Sequence, residues 1–494
     1  MIDRRSLLAG AGLAAGTVPG LASSSMVQGA PLVRSSLTPL PATPPPVTQI
    51  LAKYIVSARH ADLPDRVRTE GKRTLLNWVG VAVGGSQHET VGIALRALSQ
   101  LGTSKDASLL GRRERLDMMN AAFVNGVSSH IFDFDDTHLK TIIHPAGPVA
   151  SALLAFCERR STVGRPVSGT TFLNALSLGV EVECRIGNAV YPNHYDVGWH
   201  ITGTAGVFGA AAAIAKVMNL DEQRTIYALG LAASQPVGLR ESFGSMNKSF
   251  NPGRAAANGL FAAVLAEQGF TSSNMMIEAK RGWANTVSTK QDYAQITEGL
   301  GTRFEAALNT YKPFACGIVL HPIIDAVITL RNKYRLDAEN VVRIEMRVNP
   351  LVLELTGKSA PQTGLEGKFS VYHAAAIALI AGAAGERQFS DSAIRDVPVV
   401  ALRKRVFPTV DPTIRPEQAE VSITMAGGQA VRQRIEHAVG SLERPMSDKD
   451  LEAKFEGLSV GILPAERARR AIDLCWNVEN LSDVSVIPRV CALT

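Results

Sequence analysis

The chain has 494 residues, 46% apolar and 19% charged, enough apolar surface for a large core, so wholesale disorder is excluded. The formal net charge is +6 with no block of five or more Lys/Arg, so nucleic-acid binding has no footprint, whereas a mild positive excess suits small anions. Aromatic residues are only 6% and Ala is abundant, as in Gly209–Ala215 and Ala255–Ala263, which points to close-packed helices rather than a β-sandwich. The five cysteines lie far apart with no CxxC and read as buried free thiols, not as a zinc ribbon or a dithiol redox site.

Residues 1–30 read as an address. Arg4-Arg5-Ser6-Leu7-Leu8 opens an uncharged run, Leu7–Leu21, as in a secretory signal of the twin-arginine type, and predicts a periplasmic destination. The run is too short and too Gly-rich for a permanent span, which needs about 20 apolar residues. Gly10, Gly12 and Gly16 mimic a dinucleotide loop, but no strand precedes them and Pro19 closes the run, so that reading is discarded. Residues 31–49, with Pro39, Pro41, Pro44, Pro45 and Pro46, read as a semi-rigid linker. No other stretch reads as a membrane span, so stable membrane insertion is not expected.

From Val47 to about Asn309 the signals are helical. Pro64 suits a first helical turn, and Val67, Leu75, Trp78 and Val79 follow at helical spacing. Further helices are expected over Met118–Phe132, Gly147–Glu158, Thr170–Val190, Thr202–Met218, Asp221–Ser234 and Gly253–Gly269, several apolar all round and therefore central. After Tyr311 the pattern changes. Val342, Ile344, Met346 and Val348 alternate within Val341–Val348, as do Val421, Ile423 and Met425 within Ala419–Met425, and both segments read as half-buried strands. Lys368–Gly382 reads as an Ala-rich helix, Ser447–Glu456 as a helix with a Ser N-cap, and Pro464–Asn477 as helical. The expectation is a mainly-α protein. A large all-helical domain (50–307 and 443–494) is interrupted by a smaller α+β lid domain (308–442).

Five polar clusters could carry chemistry. In Asp133-Phe134-Asp135-Asp136-Thr137-His138, followed by His144-Pro145, three carboxylates crowd together, which is costly unless cations, water or function repay it. A phosphatase DxDxT needs an apolar strand upstream, where Asn125–His130 is polar, and a magnesium–diphosphate site lacks a second acidic cluster. A loop held by Asp caps stays open. Phe243–Arg254 places Lys248 and Arg254 in a Gly/Ser loop before a helix, either an anion site or an ordinary capped turn with solvated cations. His194 and His200 stand six apart, off one helical face and without HExxH, so no metal is expected; a core histidine is the plainer reading. The remaining clusters are Tyr311–Cys316 with His321-Pro322, and Lys368–His373.

Together DFDDTH with HP, GWHxTGTxG, GSMNKSFNPGRAAANGLFAAVLAEQGFT, YKPFACG with HPIIDA, and KFS with an aromatic resemble the MmgE/PrpD family from about Ile50 to Asn477. That family includes 2-methylcitrate dehydratase, cis-aconitate decarboxylase and iminodisuccinate epimerase. The resemblance implies a helical domain with an α+β lid, a homodimer, and chemistry without metal or organic cofactor. It places the active cleft between the domains. Asp133, Thr137 and His144 match the acidic loop and HP histidine, His200 the GxH position, Lys248 the GxxxKxxxxG lysine, and Lys312 the lysine that opens the lid. Asn251 stands where a histidine is frequent. The lid aromatic position falls on His373, with Tyr372 displaced by one, and His144 lies seven residues after Thr137.

The expected function is a lyase for a small anionic polycarboxylate, eliminating water as 2-methylcitrate dehydratase does. His144 and His200 would carry protons, Asp133 would orient or tune a histidine, and Thr137 would bond substrate or loop. Lys248, Lys312 and Arg254 would hold carboxylates, with Tyr372 and His373 completing the set. Decarboxylation or epimerisation would use the same inventory. The other class is a non-catalytic periplasmic carboxylate-binding protein, which Asn251 and His373 favour.

Overall fold

The computed structural model describes residues 44–102 and 104–493. The expected signal, and the linker up to residue 43, lie outside the described residues. The linker reading runs too far, because a helix begins at Val47, directly after Pro46. Proline is tolerated just ahead of a first turn, where no intrahelical N–H bond is lost. Val47, Leu51 and Ile55 are buried, and the Thr48 hydroxyl and N–H both bond the Glu278 carboxylate. From Pro44 onward the chain is one compact unit.

At the centre of the helical pile lies Ile201–Met218, apolar all round because every face meets another helix. By length and composition alone it could cross a membrane, yet 89% of it is buried inside the protein. Small residues set the spacing: a Cβ added at Gly259, in the helix Asn247–Glu267, would lie 2.5 Å from that of Ala210. Gly169–Val190, capped by the Ser168 side chain, packs on the same helix. Helices Met118–His130, Ala146–Thr162 and Glu222–Ala233 fall within a few residues of expectation.

One helix differs more. Asn247–Glu267 starts well before the expected Gly253 and carries Pro252 inside it. Asn251-Pro252 signals a boundary, because the residue before proline disfavours helix. Packing overrides that preference: Pro252 rests against Gly147, and a Cβ on Gly126 would come within 2.5 Å of the Gly253 Cα. This crossing fixes Lys248 and Asn251 on a rigid helix beside His130. Gly126→Ala is expected to destabilise the fold by about 1–3 kcal/mol, since the backbone clash exceeds the roughly 1 kcal/mol helix-propensity gain. Chemical denaturation measures it; an unchanged midpoint would contradict this packing.

The smaller part carries a four-stranded sheet in the order Val406–Val410, Val341–Val348, Ala419–Met425, Ala430–Ile435. The first pair is parallel and the others antiparallel. Both expected strands are the central ones. The edge strands lack a clear signal because Val406–Val410 contains Pro408, confined to edges, and Ala430–Ile435 places Arg432, Gln433 and Arg434 in a row between its two buried residues, Val431 and Ile435. Val342, expected inside, is 54% exposed, since a register shift between Val341 and Arg343 turns Val341 inward instead. Helices His321–Tyr334 and Val371–Ala381 share a core cluster with the sheet's buried face. The last helices return to the first part: Phe455 and Leu458 of Asp448–Ser459 lie against Gly80 and Gly84 of Asp65–Gly85. The fold is mainly α, with a smaller α/β part. All five cysteines are free and buried.

Candidate active site

Three local features assemble the site. Helix Met118–His130 ends at His130, and the chain turns through Asp133, whose φ of +49° lies in the left-handed region that a non-glycine residue occupies only at some strain. Asp136–His138 then pairs antiparallel with Asn309–Tyr311, Asp136 opposite Tyr311, which delivers Lys312 to the acidic loop. Asp136 accepts hydrogen bonds from the Ala146 N–H at 3.0 Å and Asn309 Nδ2 at 2.7 Å, locking His144 just ahead of its helix. His200 precedes the first turn of the central helix, and Thr202 Oγ1 of that turn accepts from the His144 N–H at 3.1 Å.

Asp133 Oδ1 receives Lys312 Nζ at 2.7 Å and Lys248 Nζ at 3.0 Å; all three side chains are buried. Lys248 also lies 2.6 Å from His130 Nε2, and the other ring nitrogen of His130 meets Asp135 Oδ2 at 2.5 Å. An ammonium can only donate, so His130 accepts through Nε2 and donates through Nδ1. The His144 Nδ1 donates to the Asp136 carbonyl at 2.9 Å, 3.1 Å from Asp135 Oδ1, leaving Nε2 a lone pair 3.9 Å from Asp133 Oδ1. Asn251 Nδ2 donates to His200 Nδ1 at 2.9 Å, so neutral His200 carries its proton on Nε2. One imidazole thus offers an acceptor and another a donor. These protons are assigned from the hydrogen-bond network.

The charges follow. Burial raises the pKa of Asp133, but the Lys248 and Lys312 ammoniums prevail and hold it well below the usual carboxylate range. Asp135 is likewise held down against burial by His130 and His144. Burial lowers His144 to about 4 and His200 well below its ordinary value, and it lowers Lys248 despite Asp133. At neutral pH the site holds neutral imidazoles, the Asp133 and Asp135 carboxylates, and the two lysines on Asp133. The rings of Phe243 and Phe369 lie 5.3 and 5.7 Å from Lys248 Nζ and wall the site against water. The cavity, partly open, is about 20 Å³, room for a single water. Any organic substrate requires these walls to part.

Nitrogens of His130, His144 and His200 lie within 4.8 Å of one another, a convergence hidden in the sequence because they sit on three separate elements. The set suits a divalent metal poorly. Both His130 nitrogens are engaged, and an ammonium sits 2.6 Å from one of them, where it would repel a dication.

Of the residues singled out in the sequence, Asp133, His144, His200, Lys248 and Lys312 meet at this cavity. Of the two roles expected of Asp133, it tunes histidines, its charge opposing the effect of burial on His130 and His200, while Asp135 does the orienting; Asp133 also clamps the lysines. Thr137 is buried behind the cavity, its hydroxyl 3.4 Å from His144 Nδ1. Arg254 is exposed and away from it, because six helical residues turn it through about 240° from Lys248. Tyr372 packs on the small core, and His373 lies inside that core, Nε2 bonded to the Gln388 carbonyl at 2.8 Å; neither lines the cavity. His194 is a core histidine, bonded to Val287 and Thr204 and stacked on Trp199.

Residues missed in the sequence include His130, Asp135 and Lys454. His130 had a signal, a histidine ending an apolar helix three residues before the acidic loop. Lys454 had none. Its buried Nζ donates to Asn77 Oδ1 and the Phe134 and Lys312 carbonyls, pinning both flanks of the site, and burial lowers its pKa to about 7.

Burial also lowers His194 to about 4, against about 6.5 unfolded. The unfolded chain therefore binds a proton that the folded one refuses, and stability falls as pH drops from about 6.5 to 4. Relative to His194→Gln, which does not titrate, wild-type stability should fall by about 1.4 kcal/mol per pH unit in that window. The comparison cancels the opposite slope of Asp136, raised to about 7 by burial and Asp135. A pH-independent difference in urea unfolding would contradict it.

Two lysines on one carboxylate, faced by neutral imidazoles in a buried cleft, form an arrangement that can bind an anion and transfer a proton. The chain belongs to the MmgE/PrpD family: residues 49–296 match the MmgE/PrpD N-terminal domain and residues 314–478 the MmgE/PrpD C-terminal domain. It is similar to the cis-aconitate decarboxylase of Homo sapiens, 27% identical over 461 residues, covering 89% of this chain and 93% of that protein. It is 26% identical to the cis-aconitate decarboxylase-like protein oryM of Aspergillus oryzae over 469 residues, 89% and 96% of the two chains. Against the cis-aconitate decarboxylase of Aspergillus terreus it is 24% identical over 468 residues, 89% and 94% of the two chains.

Proposed function

We propose that this protein is a lyase that breaks a bond beside a carboxylate of a small di- or tricarboxylate, with no metal or organic cofactor. The observation that carries the reading is the Asp133–Lys248–Lys312 cluster facing the His144 Nε2 lone pair. Similarity to cis-aconitate decarboxylases along most of both chains favours loss of CO2 from a cis-aconitate-like acid. In that reaction the bond from the methylene carbon to its carboxylate breaks, and its electron pair forms a new C=C. The old double bond places charge on the carbon beside the distal carboxylate, where a proton adds. Lys248 and Lys312 stabilise that charge, and the His200 Nε2–H bonds a carboxylate. A bound trianion raises the pKa of His144, which takes up a proton with the substrate and gives it to carbon.

Elimination of water is the second reading, favoured by Asp133 Oδ2, a buried oxygen without a hydrogen-bond partner that can accept from a substrate hydroxyl. His144 Nε2 would then take the carbon-bound proton while Lys248 protonates the leaving hydroxyl. Incubation with cis-aconitate and with 2-methylcitrate separates them. Stoichiometric CO2 from the first supports decarboxylation, loss of the hydroxyl from the second supports elimination, and inertness toward both and toward related acids overturns the proposal.

Export through the twin-arginine route and a homodimeric state belong to the same proposal, the first on Arg4-Arg5 and its uncharged run, the second on the family resemblance. Replacing both arginines by lysine should keep the precursor in the cytoplasm; unchanged periplasmic yield would contradict export.

A further inference from the structure

Next to the small catalytic cavity lies a larger chamber of about 380 Å³, in the size range of small-molecule sites. The two share a wall, since Ile142, Ile318 and Val319 line both. Beyond that wall the chamber is largely aliphatic, with Leu139, Leu351 and Leu442 on its sides. Its charged groups discourage a free polycarboxylate. Glu417 and Glu443 stand on its lining, and the Lys140 ammonium is drawn to Glu305 at 3.4 Å. The buried wall residue His321 is kept neutral, its pKa lowered by burial to about 3, and its Nε2 has no hydrogen-bond partner. An occupant that enters beside Asp133 and the two lysines would thus pass from a pocket with two ammonium groups into a largely aliphatic one whose free charges are acidic.

We infer that the chamber is a subsite for the substrate's tail: the protein takes a polycarboxylate bearing an aliphatic chain, with the carboxylates on Lys248 and Lys312 and the chain across Ile142 and Ile318 into the chamber. This rests on the reading of the cationic cavity as a small-carboxylate site. Burial of each methylene strengthens binding about fourfold.

The test uses the full chain and a series of inert acids, succinate and alkylsuccinates from methyl to hexyl, with Kd measured by calorimetry. The expected result is a Kd that falls about fourfold per added methylene, with the gain flattened in Leu351→Asp. Leu442→Asp, at a more exposed wall position, provides the same readout if the first variant does not fold. Succinate binding that is weakened by Lys248→Ala, combined with a Kd indifferent to chain length, overturns the subsite while sparing the carboxylate site. Failure of every acid, succinate included, overturns both.

Discussion

Asp133→Ala should cost about 3–5 kcal/mol of stability, as expected when one partner of a buried ionic cluster is removed. Two ammonium groups, now both against the same carboxylate oxygen, would be left buried and facing each other. Position at a cleft suggests little stability loss; burial argues otherwise, since Asp133, Lys248 and Lys312 are each less than a tenth exposed. The sign with pH is definite. In the variant the lysines are harder to protonate folded than unfolded, so the folded chain binds fewer protons and its stability recovers as pH rises toward 10. Denaturation of variant and wild type at pH 7 and pH 9.5 measures both effects. A loss below about 1 kcal/mol, or one that grows with pH, would show that the cluster is solvated rather than buried.

His144→Ala should lower kcat by about 10²–10⁴-fold, the usual contribution of a positioned proton carrier. The ring's Nδ1 proton is fixed on the Asp136 carbonyl, so Nε2 alone faces the cavity. A small change in KM would accompany the loss, because the lysines that hold carboxylates remain. His144→Gln keeps a hydrogen-bonding group but cannot shuttle a proton at neutral pH, and should not restore turnover. Wild-type kcat in either variant would place the proton carrier elsewhere, with His200 the next residue to test.

Much of the helical fold is legible in the sequence because a central helix must be apolar on every face, as Ile201–Met218 is. The paired central strands are legible because each buries one face against helices. The edge strands are not, since exposure and Pro408 erase their alternation. At Asn251-Pro252 a correct local rule fails, because contacts at Gly126 and Gly147, far away in the chain, outweigh it. The site follows the same division. Asp133, His144, His200, Lys248 and Lys312 carry family motifs and do converge. His130 lies outside every motif, and Asp135 lies inside DFDDTH without a role being assigned to it; their pairing exists only once separate elements meet. Arg254 follows Lys248 closely in sequence, and the helix turns it to another face; Tyr372 stands beside the family's lid aromatic position, yet its ring packs on the small core. His373 shares a helix with Tyr372 and is turned into that core.

The proposed reaction requires this cluster to move a proton to or from a carbon of a small polycarboxylate. The most direct measurement is proton NMR of cis-aconitate incubated with the full chain in D2O, beside His144→Ala. Substrate loss is expected, with one deuterium bound to carbon in the product, at a rate about a hundredfold or more lower in the variant, the lower bound for a proton carrier. Equal rates in variant and wild type, or an unchanged spectrum with this acid and with 2-methylcitrate, would contradict it.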